Sequence, residues 1–423
     1  MRGLVERAIV MRAGEGAAAG WSFAYFFCVL SSYYILRPVR ETLGAAAGVE
    51  GLPWLFTGTF LAMLAAVPVF GGLAARFPRR TLLPVVYGFF IACILALFVL
   101  LRSGETGAWA PAAFFIWLSV FNLFVVSVFW SFMADVWREE QARRLFGVIA
   151  AGGSAGAMAG PAITAVLAAR VGPVNLLPLS ALILAGALVC IVRLRRWAVA
   201  PEHGPAARAA QEEAPLGGSP FAGLTGVLRS AYLLGICGFV ALGNLLGTFI
   251  YFQQALVIRA AYAEPGERTA VFAMMDLAVN ALTIFAQLFV TGRLAGWIGL
   301  PRLLAALPAL SLLGFGALAA MPSAPVLIAY QVLRRATTYG VTGPALQVLF
   351  TVLSREEKYK AKNVIDTLVY RGADALSGWA YAGLTALGMG ISGIALLALP
   401  VSAVWSALAV HLGRREEELR HGG

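Results

Sequence analysis

Two clusters of charged side chains stand out because each lies within or directly beside a long apolar run. Arg37, Arg40 and Glu41 have the spacing i, i+3 and i+4, which puts all three on one side of a helix. Arg334 and Arg335 lie about nine residues inside a second apolar run, which at 1.5 Å per residue is roughly 14 Å along a helix. Guanidinium groups bind phosphate and carboxylate oxygens bidentately and stay charged. Both clusters therefore suit the binding of an organic anion.

The composition indicates that the helices carrying these charges lie in a lipid bilayer. Of the 423 residues, 60% are hydrophobic and 13% are charged, and the mean hydropathy is +0.81, which excludes a soluble globular protein. Apolar runs of about 20 residues, long enough to cross a hydrocarbon core of roughly 30 Å, can be placed twelve times. The predicted spans are 20–42, 53–75, 82–101, 110–135, 145–169, 173–193, 231–257, 269–291, 302–321, 325–352, 364–388 and 391–412.

The depth of Arg334 and Arg335 implies that they face protein or water. An arginine that faces lipid at the centre of a bilayer costs at least about 2.5 kcal/mol. The residues four positions before and after them are polar or aromatic: Tyr330, Gln331, Thr338 and Tyr339. We therefore predict that Arg334, Arg335 and these neighbours form a polar wall that is accessible to water and attracts anions.

Acidic residues within or beside the spans allow two interpretations. They are Glu41, Asp135, Asp276, Asp366 and Asp374. They match in number the five arginines inside the spans, the fifth being Arg371, so a set of structural ion pairs is one interpretation. The other is that they carry protons or close the pathway once substrate has left. Asp135 and Asp366 lie near predicted cytoplasmic ends, where the structural role is favoured.

The distribution of basic residues predicts the topology. Of the 32 Lys and Arg residues, 23 fall in segments that are cytoplasmic if the N-terminus is inside, four fall on the opposite side and five lie inside spans. This bias follows the positive-inside rule and predicts that both termini are cytoplasmic. The formal charge of +11 is explained by these loops, so we expect no nucleic-acid partner.

The sequence divides into two similar halves. We predict an N-terminal six-helix bundle at 1–194, a cytoplasmic central loop at 195–230, and a C-terminal six-helix bundle with a short cytoplasmic tail at 231–423. Gly71-Gly72-Leu73 after the second span resembles Gly292-Arg293-Leu294 after the eighth, and Arg138-Glu139-Glu140 after the fourth resembles Arg355-Glu356-Glu357 after the tenth. Matches at nearly equal offsets indicate a duplicated unit.

Several other classes of site are not indicated. The four cysteines lie in four different spans and read as apolar packing residues, and no histidine lies deep within a span, so we expect neither a metal site nor a cofactor. We find no nucleotide-binding loop, nucleophile elbow or soluble domain that would indicate an enzyme. The first apolar segment is expected to be a retained span rather than a signal peptide, because cleavage would leave an odd number of spans.

The duplicated six-plus-six architecture resembles the major facilitator superfamily, in which two bundles rock about a central site. Its loop motif is echoed after the second span, where Ala75 replaces the usual Asp and Pro78 replaces a Gly. Gly156-Ala157-Met158-Ala159-Gly160-Pro161 in the fifth span resembles the motif of drug/proton antiporters. The alternative for this stretch is close helix packing through Gly152, Gly156 and Gly160, which we favour because small residues at this spacing are common in membrane helices.

Three patches resemble the ATP/ADP antiporter family of nucleotide transporters. The stretch from Ile35 to Leu43 is similar to its I-L-R-x-x-K-D-T-L pattern, with Arg40 on the lysine and Glu41 on the aspartate. The second patch begins at Phe129-Trp130 and includes the run from Glu139 to Gly147. The third patch consists of Lys360-Ala361-Lys362 together with Ile365-Asp366. The family's acidic residue early in the fourth span has no counterpart, and Asn122 is the nearest polar group.

We therefore predict a secondary active transporter that moves an organic anion, such as ATP, ADP or another phosphate ester, by alternating access. The expected substrate contacts are Arg37, Arg40, Asn122, Arg334, Arg335, Tyr339 and Arg371, and the expected coupling or gating residues are Glu41, Asp135, Asp276, Asp366 and Asp374. The resemblance implies exchange and a bacterial inner-membrane location, and we expect a monomer. A proton-coupled exporter of drugs, siderophores or other metabolites is the alternative, and a membrane-embedded enzyme or sensor is a third class.

Overall fold

The regular secondary structure of the described residues is entirely helical. A computed structural model describes residues 12, 14–76, 79–104, 107, 109–199, 227–353, 357, 361–362 and 364–422. The α-helices are α1 Glu15–Arg76, α2 Arg79–Ser103, α3 Trp109–Val136, α4 Glu139–Val171, α5 Leu177–Val199, α6 Ala231–Ala261, α7 Pro265–Phe285, α8 Gly292–Ala320, α9 Ala324–Thr337, α10 Gly343–Val348, α11 Tyr370–Ala386 and α12 Ile391–Gly422. A 3₁₀ turn lies at Val174–Leu176, and π-helical turns lie at Ala286–Thr291, Thr338–Thr342 and Ile365–Val369.

Within the described ranges, nine helical segments are long and apolar enough to cross a membrane. The first of them, Glu15–Ala66, covers the predicted span 20–42 and the part 53–66 of the predicted span 53–75. Its path breaks at Gly48, whose φ of 69° lies in the left-handed region that residues with a Cβ rarely adopt. The protein is an all-helical membrane protein.

The predicted spans 325–352 and 364–388 are helical but interrupted. Helix α9 has 14 residues and ends at the π-turn Thr338–Thr342, and α11 has 17 residues and follows the π-turn Ile365–Val369. Neither forms a continuous apolar helix of full span length, and Arg334, Arg335 and Arg371 lie close to these interruptions.

The chain forms two compact units. The first unit comprises 1–43, 65–217 and 264–277, and the second comprises 44–64, 218–263 and 278–423. Each unit thus takes one short segment from the other half of the sequence. The predicted division into 1–194, 195–230 and 231–423 stays a prediction, and residues 200–226 of the predicted central loop lie outside the described residues.

Glycines of α4 hold α1 in the first unit. A methyl group at Gly156 would lie 2.5 Å from the carbonyl oxygen of Phe27, and one at Gly160 would lie 2.7 Å from the Cβ of Tyr34. The side chain of Ser31 also donates a hydrogen bond to the carbonyl oxygen of Gly156 over 3.4 Å. The packing interpretation of these glycines is confirmed, and it fixes the helix that carries Arg37 and Arg40.

The second family-like patch has a structural role at one end of the first unit. Arg144 forms an ion pair of 3.0 Å with Glu15, and Gln141 donates a hydrogen bond of 2.9 Å to the same carboxylate. Trp130 packs edge-on against Phe26 and also contacts Phe146, with ring centroids 5.3 Å and 5.5 Å away. These contacts join α1, α3 and α4.

Gly156→Ala should destabilise the protein by about 1–3 kcal/mol, the usual cost of forcing an extra group into a close-packed contact. Gly88→Ala is the matched control, because Gly88 also lies in a helix but nothing lies within 4 Å of a methyl group there. Alanine favours helix over glycine, so the control should be neutral or slightly stabilising. Thermal unfolding in detergent measures both, and equal melting temperatures for the two variants would contradict this packing.

Candidate anion-binding site

Arg334 lies in the last turn of α9 and is held against the backbone of α6. Arg334 is only 9% exposed, and its Nη2 donates a hydrogen bond of 2.8 Å to the carbonyl oxygen of Gly243. The Oγ1 of Thr338 donates to the carbonyl oxygen of Arg334 over 2.8 Å. Both helices belong to the second unit.

Two glycines of α6 make this approach possible. A methyl group at Gly247 would lie 2.6 Å from Nη2 of Arg334, and one at Gly243 would lie 2.8 Å from the ring of Trp405. Gly243 and Gly247 are one turn apart, so together they form a strip on which a guanidinium and an indole can lie. We call Gly243 and Gly247 the glycine strip.

The structure describes no carboxylate that would balance the charge of Arg334. Among the described residues, no carboxylate oxygen lies within 4.0 Å of its nitrogens, and its buried Nε has no hydrogen-bond acceptor. A buried cation without a partner is unfavourable because its hydration is lost. Arg334 is therefore a position at which an incoming anion would be stabilised.

A π-turn follows Arg334 directly. In this turn, Thr338–Thr342, the carbonyl oxygen of Tyr339 accepts a hydrogen bond of 3.2 Å from the side-chain amide of Gln287. A Cβ on Gly340 would lie 2.9 Å from that of Ala286, so the turn packs tightly against the π-turn that follows α7. π-turns inside helices are frequent at functional sites.

Several predicted residues of the second unit surround Tyr370. The tyrosine is 43% exposed, and Asn244 of α6 donates a hydrogen bond of 2.8 Å to its carbonyl oxygen. The Tyr370 hydroxyl lies within electrostatic range of Arg334, Arg371 and Asp374 and of the hydroxyl of Tyr339. Arg371 and Asp374 form a loose ion pair of 3.9 Å. The structure thus brings Arg334, Tyr339, Arg371 and Asp374 into one neighbourhood.

Arg37 is paired within the first unit. Its Nη1 lies 3.5 Å from Oδ1 of Asp276 on α7, and Asp276 is only 2% exposed. The hydroxyls of Thr42 and Thr269 share a hydrogen bond of 2.7 Å between the same two helices. The guanidinium of Arg37 also lies 5.8 Å from the centre of the Tyr34 ring.

Arg40 is fixed by α3 and by its neighbour. Its guanidinium lies 3.7 Å from the centre of the Phe115 ring, and its Nε donates a hydrogen bond of 3.0 Å to the carbonyl oxygen of Phe115. Its Nη1 lies 3.4 Å from Oε1 of Glu41, which is buried. Phe115 stands in the part of α3 where the family-like pattern lacks its acid.

The other predicted residues are placed as follows. Arg335 is half-buried beside Arg334, and Asn122 is half-buried on α3. Asp135, near the end of α3, and Asp366, in the π-turn before α11, are both exposed. The contribution of Tyr330 to the polar wall stays a prediction: its ring is buried against Phe315 with centroids 5.3 Å apart, and its hydroxyl lies within electrostatic range of Arg334.

Sequence reasoning missed the glycine strip and the Phe115 carbonyl. The spacing Gly243-x-x-x-Gly247 is the small-xxx-small pattern that permits close approach in membrane helices, so it was a usable signal. The contact between Arg40 and Phe115 involves a backbone oxygen, and no residue type marks such a partner.

Comparisons with known proteins agree with this fold. Residues 18–373 match the family model of the Major Facilitator Superfamily. The POT family transporter PepTSo has a similar structure, with a TM-score of 0.61, 14% identity, and coverage of 96% of this chain and 98% of that one. The nucleoside transporter NupG gives a TM-score of 0.60, 13% identity, and coverage of 96% and 99%. At these identities the likeness shows the fold alone.

Two relatives are each named ADP,ATP carrier protein 1, which confirms the resemblance predicted from the three patches. That of Chlamydia muridarum is 24% identical over 416 residues, covering 82% of this chain and 78% of the relative. That of Chlamydia trachomatis is 23% identical over 421 residues with the same coverage. Since the family model spans most of the sequence, the chain belongs to the Major Facilitator Superfamily, whose members are transporters and not enzymes.

Proposed function

We propose that this secondary transporter moves an organic anion by exchange, and that Arg334 is the centre of its binding site. The observation that carries the proposal is the buried guanidinium of Arg334, to which the described residues offer a backbone carbonyl but no carboxylate within 4.0 Å. A phosphate or carboxylate group of the substrate would supply the missing negative charge. It would also accept the hydrogen bond that Nε can donate.

The favoured substrate is a nucleotide such as ATP or ADP, or another phosphate ester. The names of the two chlamydial relatives support this choice. The exposed rings of Tyr339 and Tyr370 in the neighbourhood of Arg334 could stack on a base. Arg335 and Arg371 are proposed as further anion contacts of the second unit.

Arg37 and Arg40 are proposed as a second group of anion contacts, with Glu41 beside them and Asn122 on α3. That they bind the same substrate molecule as Arg334 stays a prediction. Arg37 already has a carboxylate partner in Asp276, so a substrate anion would have to displace that carboxylate. Asp276 would then neutralise Arg37 whenever substrate is absent, which is a gating role. Asp374 would act likewise toward Arg371, whereas the exposed Asp135 and Asp366 are proposed as structural acids.

We also propose twelve spans arranged as six and six, with both termini in the cytoplasm of a bacterial inner membrane and a monomer as the working unit. The break at Gly48 divides the first candidate span into two, and the interrupted regions 325–352 and 364–388 would add two more to the nine continuous candidates. The bias of basic residues supports the orientation.

Arg334→Gln should abolish the stabilisation of the purified protein by ATP or ADP and lower their apparent affinity at least about tenfold, since charged hydrogen bonds contribute roughly 1.5–3 kcal/mol. The substrate-free variant should be at least as stable as the native protein, because it loses an unbalanced buried charge. A thermal-shift panel of ATP, ADP, phosphate esters and dicarboxylates measures both effects.

Arg144→Gln is the contrasting control for this experiment. Arg144 is paired with the buried carboxylate of Glu15, so its loss should destabilise the protein and leave the ligand shift intact. If Arg334→Gln behaved like Arg144→Gln, Arg334 would be a structural residue and the proposed site would be wrong.

Gly247→Ala should weaken anion binding without changing any charge. The added methyl group would lie 2.6 Å from Nη2 of Arg334 and would push the guanidinium off the carbonyl oxygen of Gly243. Gly238→Ala on the same helix is the control, because its methyl group would make an ordinary contact of 3.5 Å with Leu408. Ligand titration by thermal shift compares the two variants. Equal affinities would show that the glycine strip does not position Arg334.

Asp276→Asn separates exchange from proton coupling. Under exchange, it removes the carboxylate that competes for Arg37, so labelled ATP should be taken up into ADP-loaded proteoliposomes with a lower KM and a lower kcat. Exchange by the native protein should also persist when nigericin dissipates the pH gradient. Asp135→Asn is the control, because Asp135 is exposed. Transport that collapses with the pH gradient and is lost in Asp276→Asn would favour a proton-coupled exporter instead.

A further inference from the structure

The guanidinium of Arg334 and the indole of Trp405 share one face of α6. The indole lies against Phe239, with ring centroids 5.4 Å apart, and against Gly243 on the next turn. Arg334 lies against Gly243 and Gly247, and so continues the same face by a further turn. Helices α6, α9 and α12 therefore meet at the glycine strip inside the second unit.

This junction holds buried hydrogen-bond donors that the described residues do not satisfy. The Nε1 of Trp405, whose residue is 1% exposed, has no acceptor in the part of the chain that the structure describes, and the same holds for Nε of Arg334. One turn before Arg334 on α9, Gln331 is 3% exposed. Among the described residues its buried Oε1 has no hydrogen-bond donor, whereas its amide nitrogen can donate to a bound anion. Buried N–H groups almost always find an acceptor.

We propose that in the substrate-free carrier a small monovalent anion such as chloride binds beside Arg334, where the N–H groups of Arg334 and Trp405 coordinate it. Water could accept the same hydrogen bonds, but water would not balance the charge of a buried arginine. In this structure Arg334 is only 9% exposed, which limits an anion beside it to a small one, and binding of the organic anion would require the junction to open. The inference rests on the proposed function, since the same guanidinium binds the substrate. Chloride and the organic anion therefore compete.

The test is a chloride titration of the purified full-length protein. Sodium chloride replaces sodium gluconate at constant ionic strength, so that general screening stays unchanged. Chloride should raise the melting temperature of the native protein in the absence of substrate. It should also raise the apparent Kd of ATP, or of whichever panel anion binds, in proportion to its concentration.

Two variants and one control assign the effect to this junction. Arg334→Gln should remove the chloride shift, and Trp405→Phe, which keeps the ring but loses the N–H group, should weaken chloride binding several-fold. Arg144→Gln should retain the full shift. A chloride shift that survives both Arg334→Gln and Trp405→Phe would place the ion elsewhere and overturn the inference.

The outcomes also separate this inference from the proposed function. If an organic anion stabilises the protein through Arg334 but chloride neither stabilises it nor competes, the inference is wrong and the proposed function stands. If chloride stabilises the protein through Arg334 and Trp405 while no panel anion binds, the inference stands and the proposed substrate class is wrong. If neither ligand acts through Arg334, both fail.

Discussion

A positive charge buried in a bilayer needs a negative partner, and the way this chain meets that constraint organises its proposed site. Arg37 has Asp276, Arg40 has Glu41, and Arg371 has Asp374, all within ion-pair distance. Arg334 has instead a backbone carbonyl of α6, which solvates one N–H group but carries no net charge. The glycine strip makes that arrangement possible, because a methyl group at Gly247 would lie 2.6 Å from Nη2 of Arg334.

The same constraint explains where the helices are irregular. Backbone groups that leave the regular helix ladder at membrane depth must be satisfied by the protein. The π-turns of α9 and α11 lie next to Arg334 and Arg371, and the Tyr339 carbonyl in one of them accepts a hydrogen bond from Gln287. In the first unit, by contrast, the helix that carries Arg37 and Arg40 stays continuous past both arginines and rests on glycines of α4. The arginines of the two units are therefore held in different ways.

The sequence predicted the class of protein, the resemblance to nucleotide carriers and the glycine packing of the fifth span, because these depend on composition, short motifs and local spacing. It also predicted that Arg334 avoids lipid, since the cost of exposing it there is large. It could not predict which arginine would lack a carboxylate. Arg37 and Asp276 are far apart in the chain, and their pairing is decided by how α7 packs in the first unit. Tyr330 shows the same limit: helical spacing placed it beside Arg334 but could not show that its ring would be buried against Phe315.

The predicted duplication would place equivalent charges in the two halves of the chain. The difference between Arg37 and Arg334 therefore has a mechanistic meaning in the proposed carrier. Arg37 is neutralised by Asp276, so an anion that binds Arg37 must displace this carboxylate and gains little binding free energy. Arg334 has no carboxylate within 4.0 Å among the described residues, so an anion there gains the full benefit of balancing a buried charge. A carrier without an anion at Arg334 would have to move with that charge unbalanced, whereas a loaded carrier would not. An energetic difference of this kind disfavours the return of a carrier whose site is empty. The return would then need either a second organic anion or the chloride proposed above, and the requirement arises from a single arginine rather than from the whole cluster.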